Sequence, residues 1–118
     1  MKKKVILVDD DQDIREALYL GLRNSPYEIS MYESGNEILN KHVDAPDLFI
    51  LDRNISGQNG IDICKFIKAD EKYSHVPVLI MSAYPDIQIW AAEAGANDVL
   101  KKPFSIHTLR NIINKFLA

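Results

Sequence analysis

Val5-Ile6-Leu7-Val8-Asp9-Asp10 decides the reading of this chain: a short apolar run, rich in β-branched residues, that stops on two carboxylates. An apolar run without polar alternation marks a strand buried on both faces, as in a parallel sheet covered by helices on each side. Three further fragments repeat the arrangement: Leu48-Phe49-Ile50-Leu51-Asp52, Val78-Leu79-Ile80-Met81-Ser82 and Val99-Leu100-Lys101-Lys102-Pro103. If these strands lie parallel in one sheet, three carboxylates, a hydroxyl and a lysine converge at one edge.

The intervening segments read as helices. Ile14, Ala17, Leu18, Gly21 and Leu22 recur at helical spacing after the first strand, and Asn24-Ser25-Pro26 ends that helix. Residues 28–32 alternate as a weaker edge strand, and Ser34 is placed to cap a short helix through Ile38 and Leu39, stopped before Pro46. Residues 47–51 are the third strand, Gly57 to Gly60 a turn, and Ile63, Cys64 and Ile67 mark the third helix. Val76 to Met81 form the fourth strand, with Pro77 near its start. Ile87, Ala91 and Ala94 mark a short fourth helix closed by Gly95. Residues 98–101 are the fifth strand, and Ser105 leads a last helix striped by Ile106, Leu109, Ile112, Ile113 and Phe116. Strand–helix alternation of this kind implies an α/β doubly wound parallel sheet, with any ligand beyond the carboxyl ends of the strands.

The bulk properties bound the function. The 118 residues, 47% hydrophobic and 26% charged, read as one globular domain over 1–118 without a linker or repeat. A formal net charge of −3 argues against direct nucleic-acid binding, and Lys101-Lys102 is too small for a basic patch. The longest apolar runs are too short to cross a membrane. Lys2-Lys3-Lys4 is followed by an apolar run that Asp9 and Asp10 interrupt, so no targeting segment is expected and the cytoplasm is the expected compartment. With a single cysteine, Cys64, no internal disulfide is possible, and its helical setting reads as a buried small hydrophobe.

The converging polar residues suggest a chemistry. Clustered carboxylates repel one another unless a cation neutralises them, and Mg²⁺, which needs only one or two carboxylates and keeps its waters, suits Asp9, Asp10 and Asp52. Such an ion attracts a phosphoryl oxygen; Lys102 offers a cation for a second oxygen and Ser82 a hydroxyl for a third. Asp52, central in the arrangement, is the candidate carboxylate nucleophile. Taken singly, each part has an ordinary reading as a loop cap or a solvated side chain; their joint occurrence at successive strand ends carries the argument.

In Ile6-Leu7-Val8-Asp9-Asp10, Leu51-Asp52 with Gly60 beyond it, Met81-Ser82-Ala83, Gly95-Ala96-Asn97-Asp98 and Lys102-Pro103-Phe104, the chain resembles the receiver domains of two-component response regulators, from Lys3 to the last helix. The resemblance implies a flavodoxin-like (βα)5 fold with strand order 2-1-3-4-5. It implies that Asp52 accepts a phosphoryl group from a phosphohistidine on a sensor histidine kinase or histidine phosphotransfer protein. Asp9 and Asp10 then resemble the acidic pair that places Mg²⁺, with the Asn54 backbone carbonyl as a further ligand. Ser82 resembles the hydroxyl that turns to the phosphoryl group, Ala83 contributes a backbone N–H, and Lys102 pairs with a phosphoryl oxygen, with a cis Lys102-Pro103 bond. A downstream output domain or protein is expected on the face made by the fourth helix, fifth strand and fifth helix. On this reading the chain catalyses its own phosphorylation and is not a turnover enzyme.

Against the family pattern, three departures stand out. Ile55 is followed by Ser56 in place of the common proline, with Gly57 available for the turn; Val99 occupies a position where a Tyr or Phe usually reports phosphorylation; and the stretch from Ser82 to Gly95 is about two residues short. These keep open a phosphorylation-independent interaction module. A phosphohydrolase would want an acid two places after the nucleophile, where Asn54 stands, and a flavin phosphate would be repelled by Asp9-Asp10-Asp11. Asn54 and Tyr84 read either as residues ordering or excluding water at the phosphoryl group or as ordinary loop positions. Trp90 reads as a part-buried structural residue, with a partner contact as the other reading. His42, His75 and His107 lack metal-ligand spacing and are expected at the surface, and His107 and Arg110 are available to a partner.

Overall fold

The computed structural model describes residues 2–55 and 57–118. Five parallel strands form one sheet: β1 (Lys4–Val8), β2 (Glu28–Tyr32), β3 (Leu48–Asp52), β4 (Val78–Ser82) and β5 (Asp98–Lys101). Their order is β2-β1-β3-β4-β5, the expected 2-1-3-4-5. The helices are α1 (Gln12–Leu22), α2 (Asn36–Leu39), α3 (Gly60–Ala69), α4 (Ile87–Glu93) and α5 (Ile106–Leu117). No helix among the described residues is long and apolar enough to cross a membrane.

Strand side chains alternate between faces, and here both faces are apolar. Ile6, Val8, Phe49, Leu51, Val78 and Ile80 join Ile38 of α2, Ile63 and Ile67 of α3, and Ile87 and Ala91 of α4 in one buried cluster. Val5, Leu7, Leu48, Ile50, Leu79 and Met81 join Leu18 and Leu22 of α1 and Leu109, Ile113 and Leu117 of α5 in the other. This double burial explains the unbroken apolar runs of β1, β3 and β4. β2 lies at the sheet edge and buries none of its residues fully, which accounts for its weaker pattern.

Boundaries shift where backbone chemistry demands it. β4 begins at Val78 instead of Val76: Pro77 has no N–H for the ladder, while its carbonyl accepts from Phe49 N–H at 3.0 Å. β3 runs 48–52, so Asp52 is its last ladder residue, in register with Met81. Gly35, not Ser34, is the N-cap of α2; the Ser34 hydroxyl still accepts from Asn36 N–H at 3.3 Å. The expected 57–60 turn is part of a small antiparallel hairpin pairing Asn54 with Asn59 and Ile55 with Gln58, with Gly57 at φ 71°. Ser56, where the family proline is replaced, lies outside the described residues. Gly60 opens α3 because a Cβ there would stand 2.2 Å from the Asp52 carbonyl oxygen. Gly95 follows α4 at φ 84°, as a helix-ending glycine should.

Cys64 lies where its helical pattern predicts, whereas Arg110, offered to a partner by the sequence, makes a contact within the chain. Cys64 is buried, with its thiol pushed up to about 11 by desolvation. Arg110 donates from Nε to the Gly21 carbonyl at 3.1 Å, a cation placed on the last turn of α1. His42, His75 and His107 are exposed, as expected.

Candidate functional site

The order of the sheet reverses between β1 and β3, and the polar residues gather beyond the carboxyl ends of those two strands. Asp9, Asp10 and Asp52 each bring a carboxylate oxygen within 4.8 Å of the others. Two unit charges at that separation repel by about 3–4 kcal/mol at an effective dielectric near 20, a conflict that a bound cation would relieve. Asp9 and Asp52 are buried and Asp10 is exposed.

Asp9 is locked by its neighbours. Its Oδ1 accepts from Asp11 N–H at 3.0 Å, and its backbone carbonyl accepts from the Arg15 guanidinium at 2.7 Å. Asp11 is the N-cap of α1, accepting from the N–H groups of Asp13 and Ile14 at 2.9 and 3.2 Å. It therefore anchors the helix while Asp9 faces the cluster. Asp9 Oδ2 is buried without a hydrogen-bond partner among the described residues. A buried carboxylate oxygen in that state costs free energy unless a cation takes it, and the residues present fit a hard divalent ion.

Lys102 reaches in from the residue after β5. Its Nζ donates to Asp52 Oδ1 at 2.9 Å and stands 3.7 Å from Asp9 Oδ2. The one ammonium is thus shared between the two buried carboxylates. Burial holds the Asp52 carboxyl above its ordinary value of 3.8; the Lys102 hydrogen bond opposes that rise and the Asp9 charge adds to it. The Lys102-Pro103 bond is cis, as the resemblance implied.

Ser82 ends β4, buried, and its hydroxyl accepts from Tyr84 N–H at 3.0 Å. Ala83 is exposed beside it and lines an open apolar pocket with Ile14, Ala17, Leu18, Pro103 and Phe104. Asn54 follows β3 in the hairpin and is exposed. Val99 is half-buried against the core cluster that includes α3 and α4. The structure thus gathers Asp9, Asp10, Asp52 and Lys102 directly.

Sequence reasoning missed Arg53. Its guanidinium carbon lies 4.4 Å from the Tyr84 ring centroid and 4.7 Å from that of Trp90. Trp90 is 42% exposed with its ring engaged within the chain, in keeping with the part-buried structural reading. No local pattern could announce a contact among residues so far apart in sequence; a basic residue directly after β3 was the sole signal.

Comparison with known proteins agrees with this geometry. Residues 5–114 match the sequence model of the response regulator receiver domain. Two curated relatives are 34% identical: the DNA-binding response regulator MtrA of Mycolicibacterium paratuberculosis over 107 residues, 88% of this chain and 46% of that protein, and the phosphate regulon transcriptional regulatory protein PhoB of Pseudomonas aeruginosa over 106 residues, 87% of this chain and 46% of that protein. The chain therefore spans about half the length of these relatives. Among solved structures, a putative response regulator from Chloroflexus aurantiacus is 34% identical with a TM-score of 0.89, the likeness covering 99% of this chain and 98% of that one. The chemotaxis protein CheY4 of Vibrio cholerae is 28% identical with a TM-score of 0.88, covering 99% and 100%. With residues 5–114 matching the family's sequence model and with its strand order and acidic strand ends, this chain belongs to the response regulator receiver domain family of two-component systems.

Proposed function

We propose that Asp52 accepts a phosphoryl group from the phosphohistidine of a sensor histidine kinase or histidine phosphotransfer protein. The observation that carries this reading is the meeting of the Asp9, Asp10 and Asp52 oxygens within 4.8 Å beside an ammonium 2.9 Å from Asp52. Asp9, Asp10 and Asp52, with the Asn54 carbonyl, are the residues that would hold Mg²⁺, and the orphaned Asp9 Oδ2 supports that assignment. When bound, Mg²⁺ neutralises the carboxylates and the charge on the phosphoryl oxygens.

The chain's own groups then have distinct tasks. A carboxylate oxygen of Asp52 attacks phosphorus, the P–N bond to the donor imidazole breaks, and the electron pair of that bond leaves with the imidazole. The product is an acyl phosphate on Asp52. Lys102 Nζ, now on Asp52 Oδ1, moves its hydrogen bond to a phosphoryl oxygen. Ser82 Oγ leaves Tyr84 N–H and donates to a second oxygen, and Ala83 N–H donates to a third. The altered strand-end contacts bias the β4–α4 loop and the α4–β5–α5 face, where an output domain or protein docks. The chain supplies acceptor and catalytic groups together: the phosphoryl group stays on Asp52 and the freed imidazole departs with the donor.

The alternative of a phosphorylation-independent module is favoured by one feature, the half-buried Val99, too short and stiff at χ1 to serve as a rotating lever. Intact mass after incubation with Mg²⁺ and phosphoramidate separates the readings. One added phosphoryl group in wild type, absent from Asp52→Asn and abolished by chelator, is expected. No adduct, with rapid turnover of the donor excluded, leaves the binding module.

A further inference from the structure

Arg53 is the first residue after the acceptor strand, and its backbone is held from both sides. Its N–H donates to the Met81 carbonyl and its own carbonyl accepts from Gly60 N–H, both at 2.9 Å. With the main chain fixed, the side chain reaches across to the next strand-end loop. Its guanidinium lies over the Tyr84 ring at 4.4 Å and over the Trp90 ring at 4.7 Å. A cation over aromatic faces is an attractive, geometry-sensitive contact. Tyr84 precedes α4 and Trp90 lies within it, so one side chain ties the acceptor strand to the loop and to the helix beyond.

The helix it reaches is lightly held. α4 has seven residues and no side-chain cap at its N-terminus. It buries Ile87 and Ala91 but leaves Ile89 63% exposed and Trp90 42% exposed. The other end of the linkage is the Ser82 hydroxyl, which accepts from Tyr84 N–H at 3.0 Å. A hydroxyl that turns to a phosphoryl oxygen gives up that bond and releases the Tyr84 N–H, leaving Tyr84 tied through its carbonyl to Ile87 N–H of α4 and through its ring to Arg53.

From these contacts we infer that the Arg53–Tyr84–Trp90 stack is the device that carries occupancy of Asp52 to the fourth helix, with Arg53 as its positioning residue. This rests on the phosphoacceptor reading. Loading Asp52 withdraws Ser82 from Tyr84, the Tyr84 ring shifts against a guanidinium whose backbone stays fixed, and Trp90 and α4 settle in a new position.

The test uses the intact chain, wild type, Arg53→Ala and Arg53→Lys, each with Mg²⁺ and beryllofluoride as a phosphoryl mimic. Amide hydrogen exchange over residues 83–94 and the emission of Trp90, the single tryptophan, report on the helix. Intact mass after phosphoramidate treatment reports loading independently. The expected result is a change in exchange rate of about fivefold or more over α4 in wild type, its loss in Arg53→Ala with loading intact, and partial recovery in Arg53→Lys. An undiminished exchange response in Arg53→Ala overturns the inference, as does wild type that loads without any response in α4. Loss of loading in Arg53→Ala also overturns it, because Arg53 then belongs to the acceptor chemistry. Absence of loading in wild type is a different failure: it removes the phosphoacceptor reading itself.

Discussion

The acidic end of the sheet and the fourth helix, neighbours in space, are held in opposite ways. Asp9 and Asp52 are fixed by the most deeply buried strands of the molecule, and Asp52 is locked in register with Met81. The cluster they form is under electrostatic conflict: three carboxylate oxygens meet within 4.8 Å, and among the described residues Asp9 Oδ2 has no hydrogen-bond partner. Helix α4 has no such conflict and also little anchorage. A rigid frame can hold charges that repel, because the apolar strands beneath them supply the stability; a helix that must move keeps few buried contacts. Electrostatic strain therefore sits at the proposed site of chemistry, and looseness where a signal would be read.

The sharpest way to break this comparison is to weaken the frame. Leu51→Ala removes a fully buried side chain one residue before Asp52 and is expected to destabilise the protein by about 2–5 kcal/mol, measured by urea unfolding. A cost below about 1 kcal/mol would mean the strand is not the rigid support described. Next in size is the cation. Asp9→Asn is expected to weaken Mg²⁺ binding by roughly tenfold or more, or about 1.4 kcal/mol, in isothermal titration calorimetry; unchanged affinity would remove Asp9 from the site.

The pH dependence of stability is a smaller effect with a definite sign. The folded pKa of Asp52 lies above its ordinary 3.8, so between those two values the folded state binds the proton that the unfolded state has lost. Stability contributed by this group therefore falls as pH rises through that window. The difference between wild-type and Asp52→Asn unfolding free energies, followed from acid to neutral pH without Mg²⁺, should show that fall, and a flat difference would contradict it. Smallest of all, Ile89→Ala on the exposed face of α4 should change stability by no more than about 0.5 kcal/mol; a cost of a core residue's size would show that the helix is anchored as firmly as the strands.

Much of this was legible in the sequence because it is local. Strands buried on both faces must be apolar throughout, so Val5–Val8 and Leu48–Leu51 announced themselves, and the aspartates that ended them stood out by contrast. The strand-end register then brought Asp9, Asp52 and Lys102 together as expected. What stayed hidden depends on contacts between distant side chains. The Gln58 amide that accepts from Gly35 N–H at 2.8 Å, the Arg110 link to α1 and the Arg53 stack have no period and no motif. The start of β4 was misplaced because a run of apolar residues does not reveal which N–H groups are missing, although Pro77 marked the place.

The most direct test of the central claim is chemical identification of the modified residue. An acyl phosphate is reduced by borohydride to an alcohol, so wild type treated with phosphodonor and Mg²⁺, then with borohydride, should yield a peptide bearing homoserine at position 52 and aspartate at positions 9 and 10. Homoserine at another position, or unmodified aspartate at 52 in protein whose intact mass shows a bound phosphoryl group, would contradict the assignment of Asp52 as the acceptor.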